Sequence, residues 1–168
     1  GYMPDDRTLR RKGVDLLFEA AQLLPEVTFE VVGVPENRWH AVHTKYEPPE
    51  NVSLEPPVPR ERLPEIYGHA SVYAQVSRAE GQPNVLCEAM CCGCIPVGSD
   101  VFGIPETIGE TGWIVEVPKK KEIAEVLSKA LKSATPGKRR AARNRVVKHF
   151  SRKQRRRDLL SSVESVHE

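Results

Sequence analysis

Glu80 and Glu88 bracket the segment of this 168-residue chain with the most chemical content, AEGQPNVLCEAMCCGCIPVGSD. Glu80 stands in a Gly/Pro loop. Glu88 falls inside a short helix, which Gly93 ends ahead of an apolar strand at 95–97. A loop that opens onto a helix N-terminus presents unpaired backbone N–H groups, and these suit a phosphate. Carboxylates on either side of that point accept hydrogen bonds from hydroxyls, and these suit sugars. The combination fits a long ligand with a sugar at one end, a diphosphate in the middle and a nucleoside at the other end.

At a rise of about 1.5 Å per residue, Glu88 lies roughly 7 to 8 Å along the helix axis from Pro83. Asn84 shares its face. The diphosphate is expected near Gly81, Gln82, Pro83, Asn84 and Val85, with the sugar toward Glu80 and the ribose toward Glu88. Two unrelated surface glutamates are the plain alternative, and for Glu88 alone that alternative would hold. The pair, taken with the loop and the helix, favours a site. A glycosidase also uses two carboxylates, but they flank the scissile bond at about 5 to 9 Å. Here both come from one loop–helix unit on one side of the ligand, which disfavours hydrolysis.

A second cluster, Arg10, Arg11 and Lys12 with Arg7 close by, precedes the helix expected from Gly13. Cations at a helix start oppose the macrodipole, so they call for another purpose, and a diphosphate supplies one. The alternative is a solvated basic turn.

These residues must be positioned by regular elements. Helical spacing of Val14, Leu17, Phe18, Ala21 and Leu24 predicts a helix over 13–24, stopped by Pro25. Strands are predicted at 28–32, 51–54, 71–76, 95–97 and 113–115, and helices at 36–46, 60–67, 83–92, 119–132, 136–150 and 151–166. Pro83 suits a first helical turn. Residues 103–106 either start another helix or form a plain turn. The alternation predicts a Rossmann-like doubly wound parallel sheet with helices on both faces, which binds ligands beyond the carboxyl ends of its strands. The helix from Gly13 should itself follow a strand, yet only a polar loop is expected over 1–12. We therefore expect residues 1–168 to form one domain of a longer protein, lacking a first, central strand.

Composition excludes several alternatives. With 39% hydrophobic and 29% charged residues and a net charge of +2, the chain reads as an ordinary globular α/β protein. The basic runs at 138–140, 152–153 and 155–157 contain almost no interleaved aromatics, so a solvated helix face is favoured over nucleic acid. No apolar run reaches the roughly 20 residues of a membrane span, and no signal peptide is recognised. Cys87, Cys91, Cys92 and Cys94 match no common zinc spacing, and core packing is expected for them. Closely spaced free thiols suit a reducing, cytoplasmic compartment, with peripheral contact at an anionic membrane surface as the other use of the basic runs. His40 and His43 share a helix side without a further ligand. The glycine fingerprint of dinucleotide dehydrogenases is absent, and Asp100 alone does not make a receiver site.

Six segments resemble, in order, the donor-binding half of retaining, nucleotide-sugar-dependent glycosyltransferases of GT-B architecture, the E-x7-E hexosyltransferases. They are RKGVDLLFEA, TFEVVG, ERLPEIYGHASVY, EGQPNVLCE, EAMCCGCIPVGSD and GIPETIGETGWIV. The resemblance implies that Glu80 holds hydroxyls of the transferred hexose and that Lys12 neutralises the departing diphosphate. It assigns the ribose to Glu88 and the base to the backbone near Pro57 and Val58. It implies no obligatory metal or other cofactor. The family usually carries Arg after the first strand's Gly. Here Tyr2 stands there, with Arg7 or Arg11 as the replacement, and Arg11 is counted with the site. The implied partners are a nucleotide-sugar donor, an N-terminal acceptor domain outside this chain, and a lipid or glycan acceptor. The helix at 151–166 would reach toward that domain, and the isolated chain is expected to transfer nothing. A nucleotide-sugar-binding module without transferase activity, or half of a nucleotide-sugar epimerase, is the alternative.

Overall fold

Short runs rich in β-branched residues become the strands β1 (Phe29–Val32), β2 (Val52–Glu55), β3 (Val72–Gln75), β4 (Ile95–Ser99) and β5 (Trp113–Val115). The structure is a computed structural model that describes residues 2–80, 83–116 and 118–151, with Gln154 and Arg156. Helices alternate with the strands. They are α1 (Asp6–Arg11), α2 (Val14–Ala21), α3 (Glu36–Tyr46), α4 (Leu63–His69), α5 (Asn84–Cys91), α6 (Gly103–Ile108), α7 (Lys120–Lys132) and α8 (Pro136–His149). Short 3-10 turns at Arg60–Arg62 and Gly109–Thr111 precede α4 and β5. Nearly all of the helix expected at 151–166 lies outside the described residues. Among the described residues, no helix is long and apolar enough to cross a membrane.

Every strand pairing among the described residues is parallel. β1 pairs with β2, and β3, β4 and β5 pair in that order. Side chains alternate across the second sheet as the pleat requires. Val72, Ala74, Trp113 and Val115 pack with α2 and α7, whereas Tyr73 and Ile114 pack with α5, α6 and α8. Helices on both faces of a parallel sheet are the doubly wound arrangement that alternation predicts. Pro96 is tolerated in β4, a strand flanked on both sides. Ile95 N–H bonds to Ser71 O at 2.9 Å on the β3 side. The Pro96 nitrogen therefore faces β5, where pairing begins only at Val97 with Trp113.

The two sheets do not join. Among the described residues the outer edges of β1 and β3 are both unpaired, and both strands line a cavity of 560 Å³. Val14 and Leu17 of α2 and Leu127 and Leu131 of α7 also line it. Met3 sits at one end, where its N–H bonds to Gly33 O at 2.9 Å, just past β1.

The segment before Gly13 corrects one expectation. It is not a polar loop but carries α1, capped by Asp5, whose Oδ1 accepts from Thr8 N–H at 2.7 Å. Leu9 is its one buried residue, which is why no apolar periodicity marks it in the sequence. The basic cluster changes meaning with it. Arg10 and Arg11 close α1, and cations at a helix C-terminus are favourable. Their charge needs no phosphate to explain it.

Residues 103–106 begin α6 and are not a plain turn. The approach to this helix is strained. Phe102 adopts φ +47° and ψ −126°, a conformation costly for any residue with a Cβ, and its side chain is 76% exposed. Phe102→Gly should therefore stabilise the chain by about 1 kcal/mol after the added entropy of the unfolded glycine. Thermal denaturation should show the midpoint rising by about 3 °C. A lower midpoint would mean that the ring packs against something worth more than the strain.

Candidate functional site

Glu80 follows β3, at the carboxyl end of the second sheet. Three side chains converge on one of its oxygens. Gln75 Nε2 donates to Oε2 at 3.2 Å, Ser77 Oγ donates at 3.5 Å, and Lys12 Nζ stands 3.5 Å away. Glu80 and Lys12 are both mostly shielded, with side chains 16% and 21% exposed, so their attraction is less screened than that of a surface pair. Among the described residues, Oε1 of Glu80 has no partner and remains able to accept from a hydroxyl.

Lys12 reaches Glu80 because the corner between α1 and α2 is stapled to the β3–α5 loop. Arg78 N–H donates to Arg11 O at 2.8 Å. The Arg78 guanidinium donates to Arg10 O and grips both oxygens of Asp15 at 2.7 and 2.9 Å. Arg11 Nη1 adds a longer bond of 3.4 Å to Ala79 O. Arg11, rather than Arg7, is thus the arginine tied to the loop. Gly13 makes the corner with φ +71°, packed directly on the Val76 carbonyl. From β4, Ser99 Oγ donates to Ser77 O at 2.5 Å and fixes the ends of the two strands together.

Helix α5 starts at Asn84 without a side-chain cap, and Pro83 accepts from Leu86 and Cys87 N–H at 3.0 and 3.2 Å. Among the described residues the N–H groups of Asn84 and Val85 have no acceptor, and they can serve an external one. Asn84 is exposed, Val85 half-buried and Pro83 buried. Gly81 and Gln82 lie outside the described residues. One turn along α5, Glu88 Oε1 accepts from Arg60 Nη2 at 2.5 Å. Arg60 follows Pro57, Val58 and Pro59, so the loop expected to line a base is brought to the carboxylate expected to hold a ribose.

The thiols have a different place. Cys94 is buried with its Sγ 3.1 Å from Tyr67 O, and Cys87 and Cys91 pack against the cluster of Leu86, Met90 and Ile104. Burial pushes the Cys87 and Cys94 thiols up to about 11, so both stay protonated at neutral pH. Nearby, burial first and the Glu88 charge second push the Tyr67 phenol up to about 12. Burial also raises the Tyr73 phenol, packed edge-on to Tyr67 with ring centroids 5.7 Å apart.

Sequence reasoning missed four residues here: Arg60, Gln75, Ser77 and Arg78. Gln75 is 5% exposed, and among the described residues its buried Oε1 has no hydrogen-bond partner. A polar residue at the end of an otherwise apolar strand was the one available signal.

The arrangement can accept hydroxyls at two carboxylates and hold an anion between them. Comparison with known proteins decides the family. The family model described as "Glycosyl transferases group 1" matches residues 6–149. The chain belongs to the group 1 glycosyltransferases. It is 31% identical over 140 residues to the D-inositol 3-phosphate glycosyltransferase of Mycobacteroides abscessus, a match covering 78% of this chain and 32% of that protein. It is 28% identical over 152 residues to one of the subunits of human phosphatidylinositol N-acetylglucosaminyltransferase, covering 86% and 31%. The chain thus spans about a third of the length of these relatives. Its fold is that of the GT-B glycosyltransferases. Anabaena Alr3699/HepE, solved in complex with UDP-glucose, aligns with a TM-score of 0.77 at 20% identity over 98% of this chain and 47% of that one. Sucrose-phosphate synthase from Thermosynechococcus elongatus aligns with 0.77 at 24% over 91% and 43%.

Proposed function

We propose that this chain is the donor-binding half of a retaining hexosyltransferase that moves a hexose from a nucleoside diphosphate to a lipid or polysaccharide acceptor. The observation that carries this reading is Lys12 held against Glu80, beside the uncapped start of α5. A cation, free amides and a hydroxyl-accepting carboxylate then meet where a sugar–phosphate bond would break. The C1–oxygen bond of the hexose breaks, and its electron pair goes to the diphosphate. Lys12 and the N–H groups of Asn84 and Val85 stabilise the charge that develops there. Glu80 orients the hexose, and Glu88 anchors the ribose. The acceptor hydroxyl attacks C1 from the face the diphosphate leaves, and its proton passes to the departing phosphate. No metal is needed in this scheme, because Lys12 and the amides supply the positive field.

Two features extend the proposal beyond the chain. The outer edges of β1 and β3 support one further parallel strand between them, running into Met3. The acceptor would be held by a separate N-terminal domain. The names of the relatives, which specify D-inositol 3-phosphate and phosphatidylinositol, support a polyol or lipid acceptor.

Titration calorimetry with UDP- and GDP-sugars tests the reading. One of the two donors should bind, and Glu88→Ala and Lys12→Ala should each weaken it about tenfold or more, as expected for lost charge-assisted hydrogen bonds. Donor binding indifferent to both substitutions would refute this site.

A further inference from the structure

Arg60 is a cation that the donor-binding scheme leaves unused. It opens the 3-10 turn before α4, and its Nη2 reaches Glu88, 28 residues away on α5, at 2.5 Å. Its neighbour Arg62 spends its charge locally on Glu65 at 3.3 Å. The Arg60 side chain is 80% exposed, and an exposed ion pair contributes little to the stability of a fold. The pair takes only Oε1 of Glu88. Among the described residues Oε2 has no partner, and neither do the remaining N–H donors of the guanidinium.

This geometry suits a nucleoside. With the diphosphate at the start of α5, the chain of the ligand runs along the helix past Glu88, so the base comes to rest beyond the ribose carboxylate, beside Arg60. A guanidinium is a planar fork that donates and cannot accept. It favours the carbonyl oxygens of uracil or guanine and opposes the amino group that adenine presents in the same place.

We infer that Arg60 is a positioning and base-selecting residue. It fixes the Glu88 carboxylate so that Oε2 meets a ribose hydroxyl, and it gives its free N–H groups to a base carbonyl. The inference rests on the donor-binding reading above.

The test is calorimetry on the chain with UDP, GDP, ADP and inorganic pyrophosphate, for the wild type, Arg60→Ala and Arg60→Lys. The wild type should bind the better of UDP and GDP at least tenfold more tightly than ADP. Arg60→Ala should weaken that nucleotide about tenfold, erase the preference over ADP, and leave pyrophosphate unchanged. Arg60→Lys should recover part of the affinity and none of the base preference, because an ammonium is not a planar fork. Melting temperatures of the variants should match the wild type. Nucleotide binding that ignores Arg60, a wild type without preference over ADP, or an equal loss for pyrophosphate overturns this inference alone. A wild type that binds none of the nucleotides overturns the parent reading with it.

Discussion

Gly13→Ala should destabilise the chain by about 4 kcal/mol or more, at the extreme of single substitutions. Two costs add. The residue has φ +71°, and a Cβ there is disfavoured by about 1–2 kcal/mol. That Cβ would also stand 1.9 Å from the carbonyl oxygen of Val76 and 2.7 Å from its carbon. These are backbone atoms at the end of β3, and they cannot turn aside as a side chain can. The corner between α1 and α2 must lift, and Lys12 must lift with it. Gly93 supplies the control. It has φ +86°, but its nearest neighbour to an added Cβ is the Arg139 side chain at 3.7 Å. Gly93→Ala should cost only the conformational term, about 1–2 kcal/mol. Urea denaturation of both variants measures the difference. Equal costs would show that the contact with Val76 relaxes freely, and the rigid placement of Lys12 would lose its explanation.

Lys12→Ala is expected to lower transfer by about 10²- to 10³-fold in a protein of the relatives' length, the scale of removing one group that stabilises a developing anion. Glu80 would keep its bonds from Gln75 and Ser77, so the hexose is still oriented and the loss falls on the leaving group. The loss should then exceed the weakening of donor binding, and the excess should appear in kcat. Lys12→Arg should recover part of it, because the charge returns with a different reach. Initial rates over a donor series separate the two constants. A loss confined to KM would make Lys12 a ground-state contact and remove it from the chemical step.

Much of the framework was legible because it follows local rules. β-branched runs marked each strand, and Pro83 marked the start of α5 to within a residue. Helix α1 was illegible because it is amphipathic through Leu9 alone. Its signals were the Asp5 cap, the acid in its first turn and the arginines in its last. The partners of the two carboxylates were illegible for a different reason. Gln75 and Ser77 lie within five residues of Glu80, but Arg60 meets Glu88 across 28 residues and Lys12 meets Glu80 across 68. Such contacts come from the packing of layers, which no window along the chain contains. Glu80 and Glu88 could be named from spacing, but what holds them could not.

The most direct test of the account is a crystal structure of the chain with its tighter nucleoside diphosphate-sugar. The diphosphate oxygens should lie on the N–H groups of Asn84 and Val85 within reach of Lys12, the hexose on Oε1 of Glu80 and the ribose on Glu88. A nucleotide seated elsewhere, or a diphosphate turned away from the start of α5 while the base occupies that place, would contradict the claim that one groove grips an activated sugar along its whole length.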